Sequence, residues 1–145
     1  MNTSIVWKEG MAFDGNAGKN SLIMDAKSPL GKDSGPTPKE LVALGLAGCT
    51  AMDVIALLKK HKQLPTNFRV NTEIETSTGG QPVVFEKAVL TFLIDGEVQA
   101  EKLVEAVTLS QTKYCGVSAM LSKAFPIEYK VILNGQEIAT GAAKF

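Results

Sequence analysis

Leu41-Val42-Ala43-Leu44-Gly45-Leu46-Ala47-Gly48-Cys49-Thr50-Ala51-Met52-Asp53-Val54-Ile55-Ala56-Leu57-Leu58 is the longest apolar stretch of the chain, and in it only Thr50 and Asp53 are neither apolar nor small. Thr37-Pro38-Lys39-Glu40 precedes it as a helix start. Thr37 caps, Pro38 suits the first helical position, and Glu40 stands where a capping box needs its carboxylate. These signals predict a helix from Pro38 to His61 or Lys62. The run approaches the roughly 20 residues of a membrane span, but a carboxylate such as Asp53 inside lipid costs roughly 2.5–3.5 kcal/mol. Alanine and glycine also supply little hydrophobic drive, so a buried helix is expected. Ala43, Ala47 and Ala51 recur every four residues and leave one face shallow enough for another backbone to approach. Apolar on every side, the helix must be enclosed by a sheet, by other helices or by a second subunit.

Outward from the helix the pattern changes. Before it, Ser4 to Trp7, Met11 to Phe13 and Ser21 to Met24 are short β-type runs separated by Lys8-Glu9-Gly10 and Gly15-Asn16-Ala17-Gly18, which reads as a three-stranded meander. Ser28 to Pro38 is too rich in proline, glycine and serine for a regular element. After Leu64-Pro65, Phe68, Val70, Thr72, Ile74 and Thr76 share one face of a strand. A turn over Thr78 to Pro82 leads to a second strand, Val83 to Asp95, with Ala88, Leu90, Phe92 and Ile94 on one side. Ala100 to Thr112 and Cys115 to Ala124 have helical spacing. Ile127 to Leu133 alternates as a strand, and Asn134-Gly135 is a favourable two-residue hairpin turn. The expectation is a single α+β domain over 1–145, without repeats.

Fifteen Lys+Arg balance fifteen Asp+Glu, so the basic excess needed to bind a phosphate backbone is absent. No nucleic-acid or membrane partner is expected. Met1 to Gly10 lacks the basic start and apolar run of a secretory signal, which predicts a cytoplasmic protein with reduced thiols. There are two cysteines, Cys49 and Cys115. They are too few for a disulfide scaffold and lack the paired spacing of a zinc site, so neither metal nor cofactor is expected. His61, the only histidine, lies about 18 Å along the helix from Cys49 and supports no Cys-His nucleophile. Gly79-Gly80 belongs to a hairpin turn and is no phosphate loop.

Free cysteines are often simply small buried hydrophobes. Cys115, at a predicted helix start close to Lys113, has a setting that favours thiolate over thiol. Asp53, four residues after Cys49, shares its face. A carboxylate there raises the thiol pKa unless a cation neutralises it, so a structural hydrogen-bonding role is expected for Asp53. Glu40 is nine residues before Cys49, which is about 13 Å and half a turn out of phase. It cannot touch Cys49 within the same helix.

Gly35-Pro36-Thr37-Pro38-Lys39-Glu40-Leu41, then Ala43 to Val54 around Gly48-Cys49, and Lys113-Tyr114-Cys115-Gly116-Val117-Ser118 together resemble the signature of the OsmC/Ohr family of osmotically inducible proteins and organic hydroperoxide reductases, with the flavour of its YhfA-like branch. The element order fits the family from end to end. The resemblance implies an OsmC-like fold, an antiparallel sheet with a long central apolar helix, in an intertwined homodimer with its active sites at the subunit interface. It further implies that Cys49 attacks a small organic hydroperoxide and that Cys115 resolves the sulfenic acid as a disulfide, reduced by a dithiol such as a lipoyl group. Glu40 is the carboxylate near the position of the family's arginine-holding glutamate. The family's N-terminal arginine has no counterpart: the one arginine, Arg69, lies beyond the helix, which leaves Lys8, Lys19 or Lys27 to supply charge. The alternative is a non-catalytic dimeric binding or redox-sensing protein with an apolar interface pocket.

Overall fold

The computed structural model describes all 145 residues, Met1–Phe145. The chain divides into two compact units, Met1–Ala43 and Leu44–Phe145. The first holds the meander β1 (Thr3–Glu9), β2 (Ala12–Ala17) and β3 (Asn20–Met24), an antiparallel sheet in the order β1-β2-β3. Gly15-Asn16-Ala17, read above as part of a turn, instead continues β2 and pairs with β1 and β3. Gly15 is buried there, and Met24 Cε lies 2.8 Å from where a Cβ would stand. The turn shifts to Gly18-Lys19, where Gly18 takes φ +61°, as the first position of a two-residue hairpin loop with glycine requires. Every residue of β1 is exposed, including Ile5, Val6 and Trp7, and so are Leu22 and Ile23 of β3. This sheet has almost no core of its own.

Helix α1 runs over Pro38–Lys60. Its capping box forms as expected: Thr37 N–H donates to Glu40 Oε2 at 2.7 Å, and Glu40 N–H donates to Thr37 Oγ1 at 3.3 Å. By length and composition α1 could cross a membrane, but Leu46, Thr50, Val54 and Leu58, one stripe at four-residue spacing, are fully buried in the second unit. Each apolar member of that stripe contributes roughly 1.5–3 kcal/mol on burial. The remaining faces are not enclosed within one chain: Leu44 is 59% and Met52 76% exposed.

The second unit is completed by β4 (Asn67–Thr76), β5 (Phe85–Asp95), α2 (Ala100–Leu109), a π-helical turn (Ser110–Tyr114), α3 (Gly116–Leu121), β6 (Ile127–Leu133) and β7 (Gln136–Ala142). The four strands form one sheet in sequence order. β4 and β5 pair antiparallel with Phe68 opposite Ile94, and β6 and β7 pair antiparallel across Asn134-Gly135. Both turn residues have positive φ, as a type I′ turn demands. β5 and β6 run parallel, because the two helices between them carry the chain back to its starting end. The inward row Ala88, Leu90, Phe92 and Ile94 of β5 meets Ile127 and Val131 of β6, Leu103, Ala106 and Val107 of α2, and the buried stripe of α1.

Candidate active site

The site is built from the middle of α1 and the segment joining α2 to α3. α2 ends not in an ordinary cap but in the π-helical turn, where Cys115 N–H donates to Ser110 O at 3.0 Å. Such single wide turns are frequent at functional sites. This one turns Ser110 and Gln111 inward, both fully buried, and delivers Cys115, also fully buried, to the start of α3. On α1, Cys49 and Asp53 are half-buried. Cys49 Sγ, Cys115 Sγ and an Asp53 carboxylate oxygen all lie within 4.8 Å of one another. Both thiols are free.

Beside the sulfurs runs a directed hydrogen-bond chain. Ser110 Oγ donates to Asp53 Oδ2 at 2.9 Å, and a carboxylate can only accept. Thr50 Oγ1 must then donate to Ser110 Oγ at 2.7 Å, and Gln111 Nε2 donates to Thr50 Oγ1 at 2.8 Å. All three donors therefore point toward Asp53. The expected structural hydrogen bond of Asp53 is present, with its carboxylate close to both thiols. Thr50, Ser110 and Gln111 were missed by the sequence reading. Thr50 carried a signal as one of two polar residues in an apolar run, and Ser110 stands at helical spacing after Leu103, Ala106 and Val107, whereas nothing announces the burial of Gln111. Gln111 Oε1 and Ser118 Oγ are buried without a hydrogen-bond partner.

Cys115 corrects the electrostatic expectation. Its Sγ does accept the Ser118 N–H at 3.3 Å, the helix-start interaction that favours thiolate. Burial outweighs it and pushes the thiol up, with the adjacent Cys49 side chain acting in the same direction. Lys113 gives no help and lies over the Tyr114 ring at 5.4 Å from its centroid. Glu40 has its partners elsewhere: Thr37 and Lys27, whose Nζ is 3.3 Å from Glu40 Oε1. In the first unit, an apolar cavity of about 530 Å³ is lined by Ile5, Met11, Phe13 and Met24, with Lys27 and Thr37 on its wall. Arg69 is an exposed residue of β4, and His61 lies just past the end of α1.

A small α+β chain with a long helix presenting one cysteine to a second cysteine from a distant segment defines the class. The family model for OsmC-like proteins matches residues 31–130, and the chain belongs to that family. It is 33% identical to Protein YhfA of Escherichia coli strain K12 over 136 residues, 91% of this chain and 98% of that one. Among solved structures, an OsmC-like protein from Mycoplasma pneumoniae superposes with a TM-score of 0.79 at 16% identity, covering 91% of this chain and 95% of that one. A Vibrio cholerae protein described as a putative organic hydroperoxide resistance protein, with captopril in one of its active sites, superposes with a TM-score of 0.65 at 18% identity, covering 95% and 94%. These two likenesses show the fold.

Proposed function

We propose that the chain, acting as a single OsmC-like domain over 1–145, is a cytoplasmic, homodimeric thiol peroxidase that reduces small organic hydroperoxides through Cys49 and Cys115. The observation that carries this reading is the approach of the two sulfurs to within 4.8 Å from segments far apart in the chain. A disulfide bond of about 2.05 Å then needs only a modest local movement. The half-buried Cys49 is the thiol that substrate can reach. As thiolate it takes the distal oxygen of the hydroperoxide, with one proton going to the departing alkoxide, giving Cys49 sulfenic acid and an alcohol. The Cys115 thiol condenses with that sulfenic acid, forming the disulfide and releasing water. A dithiol such as a lipoyl group returns both thiols and leaves as its own disulfide.

The homodimer is supported by the apolar surface left on one chain, namely Leu44 and Met52 of α1 and Ile5, Val6, Trp7, Leu22 and Ile23 of the first sheet. A patch of this kind marks an interaction surface. Glu40 enters the reading through the second copy. It holds Lys27 beside an apolar cavity suited to the hydrocarbon part of a hydroperoxide, and Lys27 supplies the cation that the absent arginine does not. That absence is what favours the alternative, a dimeric binding or redox-sensing protein.

Treatment with cumene hydroperoxide followed by peptide mapping separates the two. The peroxidase reading expects an intramolecular Cys49–Cys115 disulfide and catalytic peroxide loss with a dithiol. Cys49→Ser should abolish consumption, whereas Cys115→Ser should undergo one oxidation per chain and stop at Cys49 sulfenic acid. A disulfide formed no faster than free cysteine reacts would replace this reading with the alternative.

A further inference from the structure

We propose that Cys49, Asp53 and Cys115 of the reduced protein form a three-donor site for a soft divalent cation of the zinc type. The proposal uses the residues of the peroxide reading but does not rest on it, since metal binding needs no oxidation step. Two sulfurs and a carboxylate oxygen lie within 4.8 Å of one another. Zinc bonds of about 2.3 Å to sulfur and about 2.0–2.2 Å to oxygen place neighbouring tetrahedral donors roughly 3.5 Å apart. Closing the site therefore takes about an ångström of side-chain movement.

The donor chemistry selects the ion. Thiolates favour zinc and similar soft cations over magnesium or calcium, and three protein donors leave the fourth position to water. Asp53 is oriented by Ser110 Oγ, itself held by Thr50, which Gln111 holds in turn, the outer support by which metal ligands are usually fixed. Asp53 takes part in none of the salt bridges, so no side-chain cation competes for it. Ser118 lies against the site through its N–H on Cys115 Sγ, and its fully buried Oγ has no hydrogen-bond partner within the protein. Half-exposed Cys49 and Asp53 give the ion a route in. Binding releases the two thiol protons to solvent, and the +2 cation meets two thiolates and one carboxylate, leaving a local charge of about −1. The same event removes both thiols from oxidation, so the cation and the disulfide are mutually exclusive.

The test uses the full chain, reduced and stripped of metal under anaerobic conditions, then titrated with Co²⁺ and with Zn²⁺. The expected result is one Co²⁺ per chain with a thiolate-to-cobalt charge-transfer band, displaced by Zn²⁺. Asp53→Asn should weaken binding by about tenfold or more while retaining both thiols. On the wild type, one equivalent of Zn²⁺ should slow iodoacetamide labelling of Cys49 and Cys115 together, and a chelator should restore it. This arm needs no variant to fold. Absence of the cobalt–thiolate band, Asp53→Asn binding as tightly as wild type, or equal binding by the disulfide form would overturn the site. Binding without peroxide consumption would leave the metal site standing and remove the peroxidase. Peroxide consumption without the cobalt band would do the reverse.

Discussion

Asp25 is a buried carboxylate without a cation. Its oxygens accept from Ser34 N–H and Oγ, Lys32 N–H and Ala26 N–H, between 2.8 and 3.1 Å. Those bonds, the Ser34 backbone donor first, hold its pKa at about 2 rather than the ordinary 3.8, against an upward push from burial. A folded-state pKa below the unfolded value gives stability that is present above about pH 4 and lost as pH falls toward 2. Asp25→Asn should therefore unfold at lower urea than wild type at pH 7, and the gap should close across that acid window. Urea melts at several pH values check this. Cys115 has the opposite sign. Burial raises its folded pKa, so its contribution is complete below the unfolded value of about 8.5 and is lost as pH rises. The reduced wild type should lose more stability than Cys115→Ala as pH rises above about 8.5. Equal alkaline slopes in the two proteins would contradict the assignment. The two cysteines and the Thr37–Glu40 capping box were legible in the sequence. The burial that decides the state of Cys115 was not, because it depends on α1, α2 and the sheet meeting around it.

The start of α1 and the π-helical turn do different work. The Thr37–Glu40 box is local, and its four-residue pattern specifies it fully. Thr37→Ala should cost about 1 kcal/mol in a chemical melt. The π turn is a register device: one extra residue per turn rotates everything after it by about 100° relative to an α-helix. Deleting Thr112, an exposed residue whose hydroxyl bonds Thr108 O, should restore α geometry, with the Cys115 N–H kept on Ser110 O as an ordinary α bond and Cys115 kept facing Cys49. The deletion protein should stay helical by circular dichroism and still form the Cys49–Cys115 disulfide on mild oxidation; loss of the disulfide would show that the wide turn does more than take up one extra residue. Hydrophobic spacing predicted both helices of this region, but a π turn has no spacing signature. Its wide hydrogen bond forms because packing Ser110 and Gln111 against α1 compensates the poorer local geometry.

For the molecule as a whole, the first sheet and α1 leave apolar residues exposed. A three-stranded sheet with almost no core of its own and a helix buried on one stripe present the kind of apolar surface that marks an interaction site. Light scattering at micromolar concentration should give twice the chain mass. Leu44→Glu combined with Met52→Glu should reduce this to one chain mass, and a wild-type monomer would defeat the dimer.

Periodicity, turn residues and the capping box were enough to read the order of strands and helices, the length of α1, the inward row of β5 and the Asn134-Gly135 hairpin, because these depend on neighbours within a few residues. The same reading ended β2 too early, since only the pairing of Gly15 with both flanking strands makes that glycine a strand residue. Tertiary structure alone decided that β5 and β6 run parallel, that Thr50, Ser110 and Gln111 aim a chain of hydrogen bonds at Asp53, and that Cys49 and Cys115 meet. Each is a contact between segments far apart in the chain, set by how apolar faces pack, and no local pattern carries that information.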